Sequence, residues 1–346
     1  MTTPANLTAL VGGRVIDPAN GFDGIADVVC GDGKVLAVGS GVAATYLDAD
    51  RIDCTNLIVT PGLIDLHVHV YPGLGNFCVT PDQAGVERGV PIVVDGGTSG
   101  TATMQLALDW LDAAQPKTKV LSFMDPCVLY LATHDFICHK LEIANDTRNL
   151  DLDAAAELLE LHADRIVGFK VRACHTGDPE VSPFLEGAKS IAGDRPIMVH
   201  LGRFPHTASI TTDALLGSLR EGDIVTHAFR GASGALTIPE RLPSDGLRKA
   251  ADRGVLLDVG HSATDFRFRD ARTIIENGYR PDTISTDMNR FNIDHPVGSL
   301  AETMSKILAL GVPLVDVVAM VTTNPAAAIH RSGEYGTLDV GRSAEV

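Results

Sequence analysis

No two of the six cysteines, Cys30, Cys54, Cys78, Cys127, Cys138 and Cys174, are separated by only two residues. That spacing excludes a CxxC redox motif and a zinc-knuckle pattern. Thiols scattered this way are usually buried small hydrophobes in a reducing compartment. The sequence opens without a basic segment leading into an apolar one, so a secretory signal is not expected. No apolar run reaches the ~20 residues of a bilayer span, so no membrane partner is expected and the default location is the cytoplasm. Positive charge is also scarce. The chain carries 28 Lys+Arg against 44 Asp+Glu, a formal net charge of -16. No basic cluster offsets it, which argues against a nucleic-acid partner. Internal repeats and low-complexity segments are missing too, which argues against solenoids and disordered tails.

What is present is a chain of 346 residues, long enough for one large α/β core and a smaller accessory domain. Its 34 glycines and 18 prolines suggest many tight connections. The first sixty residues read as short strands: Leu7 to Val15 with Gly12-Gly13 inside it, Ala26 to Cys30, and Val35 to Val38 after the turn Gly31-Asp32-Gly33. Leu57-Ile58-Val59 reads as a further, buried strand.

The pattern changes at Pro61, where strands begin to alternate with helical stretches. Eight strand candidates follow: Gly62–Val70, Pro91–Asp95, Lys117–Phe123, Ile166–Val171, Pro196–His200, Asp223–His227, Gly254–Val259 and Thr283–Asp287. Eight strands with a helical stretch after most of them fit a closed (β/α)8 TIM barrel. The interval after the third is long and holds an extra segment, Tyr130 to Asn149. Asn324-Pro325 reads as a helix start, with Asn as cap and Pro at the first helical position. The run Gly336 to Gly341 looks like a turn into a strand whose natural home is the small β-domain. The expected organisation is therefore a small β-sandwich domain formed by both chain ends, residues 1–60 and 332–346, around a barrel of residues 61–331. The sequence stops in what reads as mid-domain, so a longer natural chain is an expectation.

Strand one ends in Asp65-Leu66-His67-Val68-His69. Residues two apart on a strand share a face, so His67 and His69 aim into one space. A lone HxH pair is weak evidence, but later strands add to it. Lys170 sits in the apolar strand Val167-Gly168-Phe169-Lys170-Val171, His200 closes Ile197-Met198-Val199, His227 closes Ile224-Val225-Thr226, and Asp287 closes Ile284-Ser285-Thr286. Each polar residue lies at or near the same end of its strand, where barrel enzymes build their sites. Two imidazoles, a lysine, two more imidazoles and a carboxylate suit zinc or a similar divalent ion. A lysine in such a strand can react with carbon dioxide, and the N6-carboxylated Lys170 would be an anionic bridge between two ions. His67, His69 and Asp287 would hold one ion and His200 and His227 the second. A metal-bridging hydroxide is then the expected nucleophile, with Asp287 moving its proton.

Other residues are candidates for the substrate pocket. Arg172 shares the face of Lys170 and could fork onto a substrate carboxylate, or form a salt bridge in the barrel mouth. His261, just past strand seven, could donate to the substrate or orient another group. Tyr71 and Asn289 each lie two residues beyond a ligand candidate. Arg203 and Arg230 follow strands five and six and could equally be solvated loop residues. The glycine-rich run Asp95-Gly96-Gly97-Thr98-Ser99-Gly100 allows close backbone approach to a ligand, but lacks dinucleotide or Walker spacing.

With these residues in view, the chain resembles the amidohydrolase superfamily. Pro61-Gly62-Leu63-Ile64-Asp65-Leu66-His67-Val68-His69 looks like its strand-one signature, and Lys170, His200, His227 and Asp287 match its binuclear, carboxylated-lysine members. Within it, the strand ends are similar to a dihydroorotase-like or deacetylase-like subgroup. The resemblance implies two divalent ions, expected to be Zn2+, and hydrolysis of an amide or ester (N-acyl or O-acyl) bond in a small, carboxylate-bearing substrate. The alternative is a cyclic amidohydrolase opening a hydantoin-like or dihydropyrimidine-like ring. A catalytically silent barrel is disfavoured because no ligand is lost, and a homo-oligomer stays open. True dihydroorotases carry an arginine just after the HxH pair, where this chain has Val70-Tyr71-Pro72-Gly73. The subgroup tends to have His in place of Asn289 and Asn in place of Arg230.

Overall fold

A computed structural model describes residues 6–134, 137–202, 206–231, 235–238 and 242–345. The N-terminal part forms β1 (Thr8–Asp17), β2 (Phe22–Gly31), β3 (Lys34–Gly39), β4 (Asp50–Asp53) and β5 (Ile58–Val59). Their order is β3-β2-β1-β4, with β5 also pairing with β1. The β2–β3 connection is Asp32-Gly33, with φ of 49° and 69°. Two positive φ values are what a tight two-residue hairpin needs, and Asp-Gly supplies them at low strain. The register of β1 against β2 shifts between Leu10 and Gly13. A Cβ on Gly13 would lie 2.8 Å from the Val59 side chain, so the glycine lets β5 cross close by. The expected buried strand at Leu57-Ile58-Val59 is shorter and one-sided: Leu57 and Ile58 are half exposed, and only Val59 is buried.

Alternate residues of this sheet face opposite ways. Val15, Val28 and Val35 pack with Leu338 on one face, and Ala9, Val29 and Ala43 cluster on the other. The C-terminal segment runs back against this sheet. Leu338 donates its N–H to Asp17 at 2.9 Å, Val35 to the Arg342 carbonyl at 3.0 Å and Ala344 to the Gly33 carbonyl at 3.0 Å. Among the described residues this unit holds one five-stranded sheet, with no second sheet facing it.

From residue 64 strands and helices alternate: β6 (Ile64–Val68), α1 (Pro81–Ala84), β7 (Ile92–Gly96), α2 (Met104–Ala114), β8 (Lys119–Met124), α3 (Ile137–Lys140), α4 (Leu152–Leu161), β9 (Ile166–Val171), α5 (Pro183–Ala192), β10 (Ile197–His200), α6 (Thr212–Ser218), β11 (Ile224–Thr226), α7 (Asp245–Asp252), β12 (Leu256–Asp258), α8 (Phe268–Glu276), α9 (Leu300–Leu308), α10 (Leu314–Ala319) and α11 (Thr323–Ala328). Strands β6 to β12 form one parallel sheet in chain order. Parallel strands covered on both faces read as unbroken apolar runs, which is why they were legible. Ser182, Thr211, Ser244 and Ser299 cap α5, α6, α7 and α9 by accepting from backbone N–H groups. Asn324 is not a cap: α11 begins one residue earlier, and the Asn324 amide donates to the Asp282 carbonyl at 2.8 Å. No helix among the described residues is long and apolar enough to cross a membrane.

The eighth strand candidate, Thr283–Asp287, does not form a regular strand. It makes one isolated parallel bridge, Thr283 to Asp258, and Met288 just beyond it bridges to Val68. Thr286 gives its N–H to the Asp65 carboxylate at 3.0 Å instead of to a backbone carbonyl, and Asp287 turns to a φ of 52°, so the ladder is interrupted. Even so, the segment contacts both edges of the curled sheet. Val259 donates to the Thr283 carbonyl at 3.1 Å, and Asp287 donates to the His67 carbonyl at 2.7 Å. The result is a TIM-like α/β architecture with the strand C-termini gathered at one mouth.

Candidate metal centre

The structure brings the polar strand-end residues together. His67, His69, Lys170, His200, His227 and Asp287 are all buried and all line one cavity of about 220 Å³ at the mouth. Asp287 Oδ1 lies 3.0 Å from His69 Nε2 and 3.4 Å from His67 Nε2. Lys170 Nζ lies 2.8 Å from His67 Nε2. The His200 and His227 rings meet edge-on with centroids 4.4 Å apart. One potential ligand atom each from His67, His227 and Asp287 fall within 4.8 Å of one another. Nitrogen and oxygen donors this close fit a divalent ion.

Glycines make this convergence possible. A Cβ on Gly96 would lie 2.1 Å from His67 Cδ2, and one on Gly97 would lie 2.4 Å from Lys170 Cβ. The glycine run at the end of β7 therefore serves close approach to ligand candidates within the protein. Burial sets the protonation states. It pushes the Lys170 ammonium down to about 7 and holds His67, His200 and His227 below the ordinary imidazole range. Burial opposes ionisation of Asp287, but the facing His67 and His69 hold its carboxyl below the usual carboxylate range.

The substrate candidates divide. Arg172 and Asn289 line the cavity. The Arg172 guanidinium lies 5.6 Å from the Tyr130 ring centroid. The Asn289 amide is used locally, donating to the Asp287 carbonyl at 2.9 Å and accepting from Phe291 N–H at 3.0 Å. Tyr71 is not in the lining. It packs in the core with its hydroxyl 2.5 Å from Ser122 Oγ, because the chain leaves β6 and its alternation ends. His261 is also outside the lining. Gly260 turns the backbone with a φ of 45°, and His261 stacks on Phe266 with Nε2 2.8 Å from Lys306 Nζ. Arg203 lies outside the described residues. Arg230 is not a solvated loop residue. It is partly buried, 3.2 Å from Asp265 and 3.2 Å from His200 Nε2.

Sequence reasoning missed Asp265, Asp125, Tyr130, Leu131, Phe77 and Phe291, which also line the cavity. Asp125 closes the apolar run of β8 and carried the same signal as the ligand candidates. Burial pushes its carboxyl up to about 6. The others come from loops, where strand periodicity says nothing.

Residues 58–346 match the Amidohydrolase family. A deacetylase of Agrobacterium fabrum is 35% identical over 321 residues, covering 92% of this chain and 76% of that protein. Among solved structures, a crystal structure of a dihydroorotase matches with a TM-score of 0.83 at 34% identity, covering 98% of this chain and 87% of the other. A crystal structure of an adenine deaminase matches with a TM-score of 0.84 at 26% identity, covering 97% and 88%. With a match running from β5 to the chain end and relatives aligned over most of its length, this chain belongs to the Amidohydrolase family.

Proposed function

We propose that the chain hydrolyses an N-acyl or O-acyl bond in a small, carboxylate-bearing substrate, using two divalent ions held by the six strand-end residues. The observation that carries this reading is the close set of His67, His227 and Asp287 donor atoms in the cavity that Arg172 also lines. His67, His69 and Asp287 would hold one ion and His200 and His227 the other, with zinc the best fit to this donor set. Bound there, such ions would supply Lewis acidity and acidify a water molecule.

The remaining steps belong to the chain. Lys170, neutral at slightly alkaline pH, can attack carbon dioxide: the N–C bond forms, one C=O electron pair moves to oxygen, and a proton leaves. The carboxylated amine is an anion able to bridge both ligand groups. Asp287 Oδ1 would accept a proton from the attacking water and return it to the leaving nitrogen or oxygen. Arg172 would take the substrate carboxylate as a bidentate fork and orient the scissile carbonyl. Thr283–Asp287 is read as the eighth strand of a (β/α)8 barrel spanning 61–331, with 1–60 and 332–346 as the accessory unit.

The deacetylase relative favours acyl transfer to water over ring opening. So does Tyr71, which stands in the sequence where dihydroorotases carry an arginine and turns its hydroxyl to Ser122 in the core. The test is a turnover screen of the zinc-loaded protein against N-acyl amino acids, O-acyl hydroxy acids and cyclic ureides. Acyl hydrolysis is expected. Turnover of the ureides alone would replace this reading with the cyclic one.

A further inference from the structure

The two histidines of the HxH pair are held from behind by the same device. His67 Nδ1 lies 3.0 Å from Thr226 Oγ1, and that hydroxyl donates to Asp258 Oδ2 at 2.7 Å. His69 Nδ1 lies 2.8 Å from Thr98 Oγ1, which donates to Asp95 Oδ2 at 2.8 Å. Thr226, Asp258, Thr98 and Asp95 are fully buried and come from β11, β12 and the β7 end. Neither pair of helpers is adjacent in sequence to the histidine it serves.

The polarity of each chain can be worked out. A hydroxyl has one proton to give. Asp95 also accepts from Thr98 N–H at 2.7 Å and Val70 N–H at 3.0 Å. Asp258 also accepts from the hydroxyls of Thr283 at 2.7 Å and Ser285 at 2.6 Å. Ser285 Oγ itself accepts from Gly260 N–H at 3.1 Å, so its proton points at Asp258. Carboxylates ringed by donors act as acceptors. The threonine protons are therefore committed to them, and each threonine oxygen presents only lone pairs to its imidazole. The imidazole must supply the proton, from Nδ1. A glycine at 260 is part of the device, because a Cβ there would lie 2.2 Å from Thr226 Oγ1.

We infer that Asp258 through Thr226, and Asp95 through Thr98, are positioning residues that keep Nδ1 of His67 and His69 protonated. Nε2 of each ring is then the nitrogen turned to the cavity, where Asp287 Oδ1, 3.0 Å from His69 Nε2 and 3.4 Å from His67 Nε2, accepts any second proton the rings carry before an ion arrives. The consequence for ion binding rests on the proposed metal reading; the tautomers do not.

The experiment uses histidine-selective 15N labelling of the chelator-stripped full chain, with His67→Gln and His69→Gln for assignment, followed by competition of the chain against a chromogenic chelator for zinc. In the wild type, both histidines should show a protonated Nδ1. Thr226→Val should shift His67 alone toward the other tautomer, and Thr98→Val should shift His69 alone. Each should weaken zinc binding by about 10–100-fold, as removal of partners behind metal ligands typically does. Thr226→Ser should restore most of both readouts. Retention of the Nδ1–H signature by both valine variants overturns the inference. If Thr226→Val fails to fold, Thr98→Val against Thr98→Ser decides the same question. A wild type that binds no zinc would defeat the metal reading, while the tautomer comparison still decides the relay.

Discussion

Asp287 and His67 are joined twice. The Asp287 backbone N–H donates to the His67 carbonyl at 2.7 Å, and the Asp287 carboxylate faces the His67 ring at 3.4 Å. The first and last ligand candidates thus share one fixed geometry across the sheet edge. Asp287 holds a φ of 52°, an uncommon conformation for a residue with a side chain. Its carbonyl is gripped by the Asn289 and Asn292 amides at 2.9 and 2.8 Å.

Asn292 is fully buried, so removing its amide takes a donor from that carbonyl. Asn292→Leu should destabilise the chain by about 1–3 kcal/mol, the usual range for a buried group losing its partner. Its zinc affinity should fall as well. Urea unfolding and chelator competition would check both, and an unchanged affinity would separate the turn from the site.

Lys170→Ala should lose most bound metal. Metal analysis of the wild type should give close to two ions per chain, and of the variant far fewer. Turnover should fall by at least ~100-fold, since a misplaced site of this kind costs that much. Bicarbonate with a small carboxylate should restore part of it. Full activity in the variant would remove Lys170 from the site.

Gly96→Ala places a methyl 2.1 Å from His67 Cδ2. The ring cannot stay, and a shift of ~1 Å at a reacting centre costs on the order of 100-fold in rate. The expected outcome is a folded chain by circular dichroism with lost metal and lost turnover. Normal metal content would show that the ring moves harmlessly.

Arg172→Met should raise KM for carboxylate-bearing substrates far more than for neutral analogues. Loss of one charged hydrogen-bond partner corresponds to about 1.5–3 kcal/mol, or roughly ten- to a hundredfold. An equal effect on both classes would discard the carboxylate role.

Burial holds the His261 imidazole down at about 4, away from its ordinary 6.5. Between these values the unfolded chain binds a proton that the folded chain refuses. The stability due to this group is therefore present above pH 6.5 and is lost as pH falls toward 4. His261→Gln should lose less stability than the wild type across that interval, read as the urea midpoint against pH. Parallel curves would show that His261 titrates normally.

The lining of the candidate site was partly legible before folding. His67, His69, Lys170, His200, His227 and Asp287 could be picked out because each lies on or beside an apolar strand, and parallel strands in a barrel all end at one mouth. Period-two alternation predicted inward pairs only while the strand lasted. Arg172, just past β9, still lines the cavity. Tyr71 and His261 lie beyond a departure from the strand and a positive-φ glycine, and those turns re-aimed both side chains.

The order of strands and the identity of the ligand candidates follow from the sequence, because hydrophobic runs and their polar ends are local properties. Only the tertiary structure decided what stands behind and across from them. Asp258 and Thr226 reach His67 from β12 and β11, Asp95 and Thr98 reach His69 from the β7 end, and Tyr130 reaches Arg172 from a long loop. Those partners are brought together by the curl of the sheet, and no spacing along the chain encodes that distance.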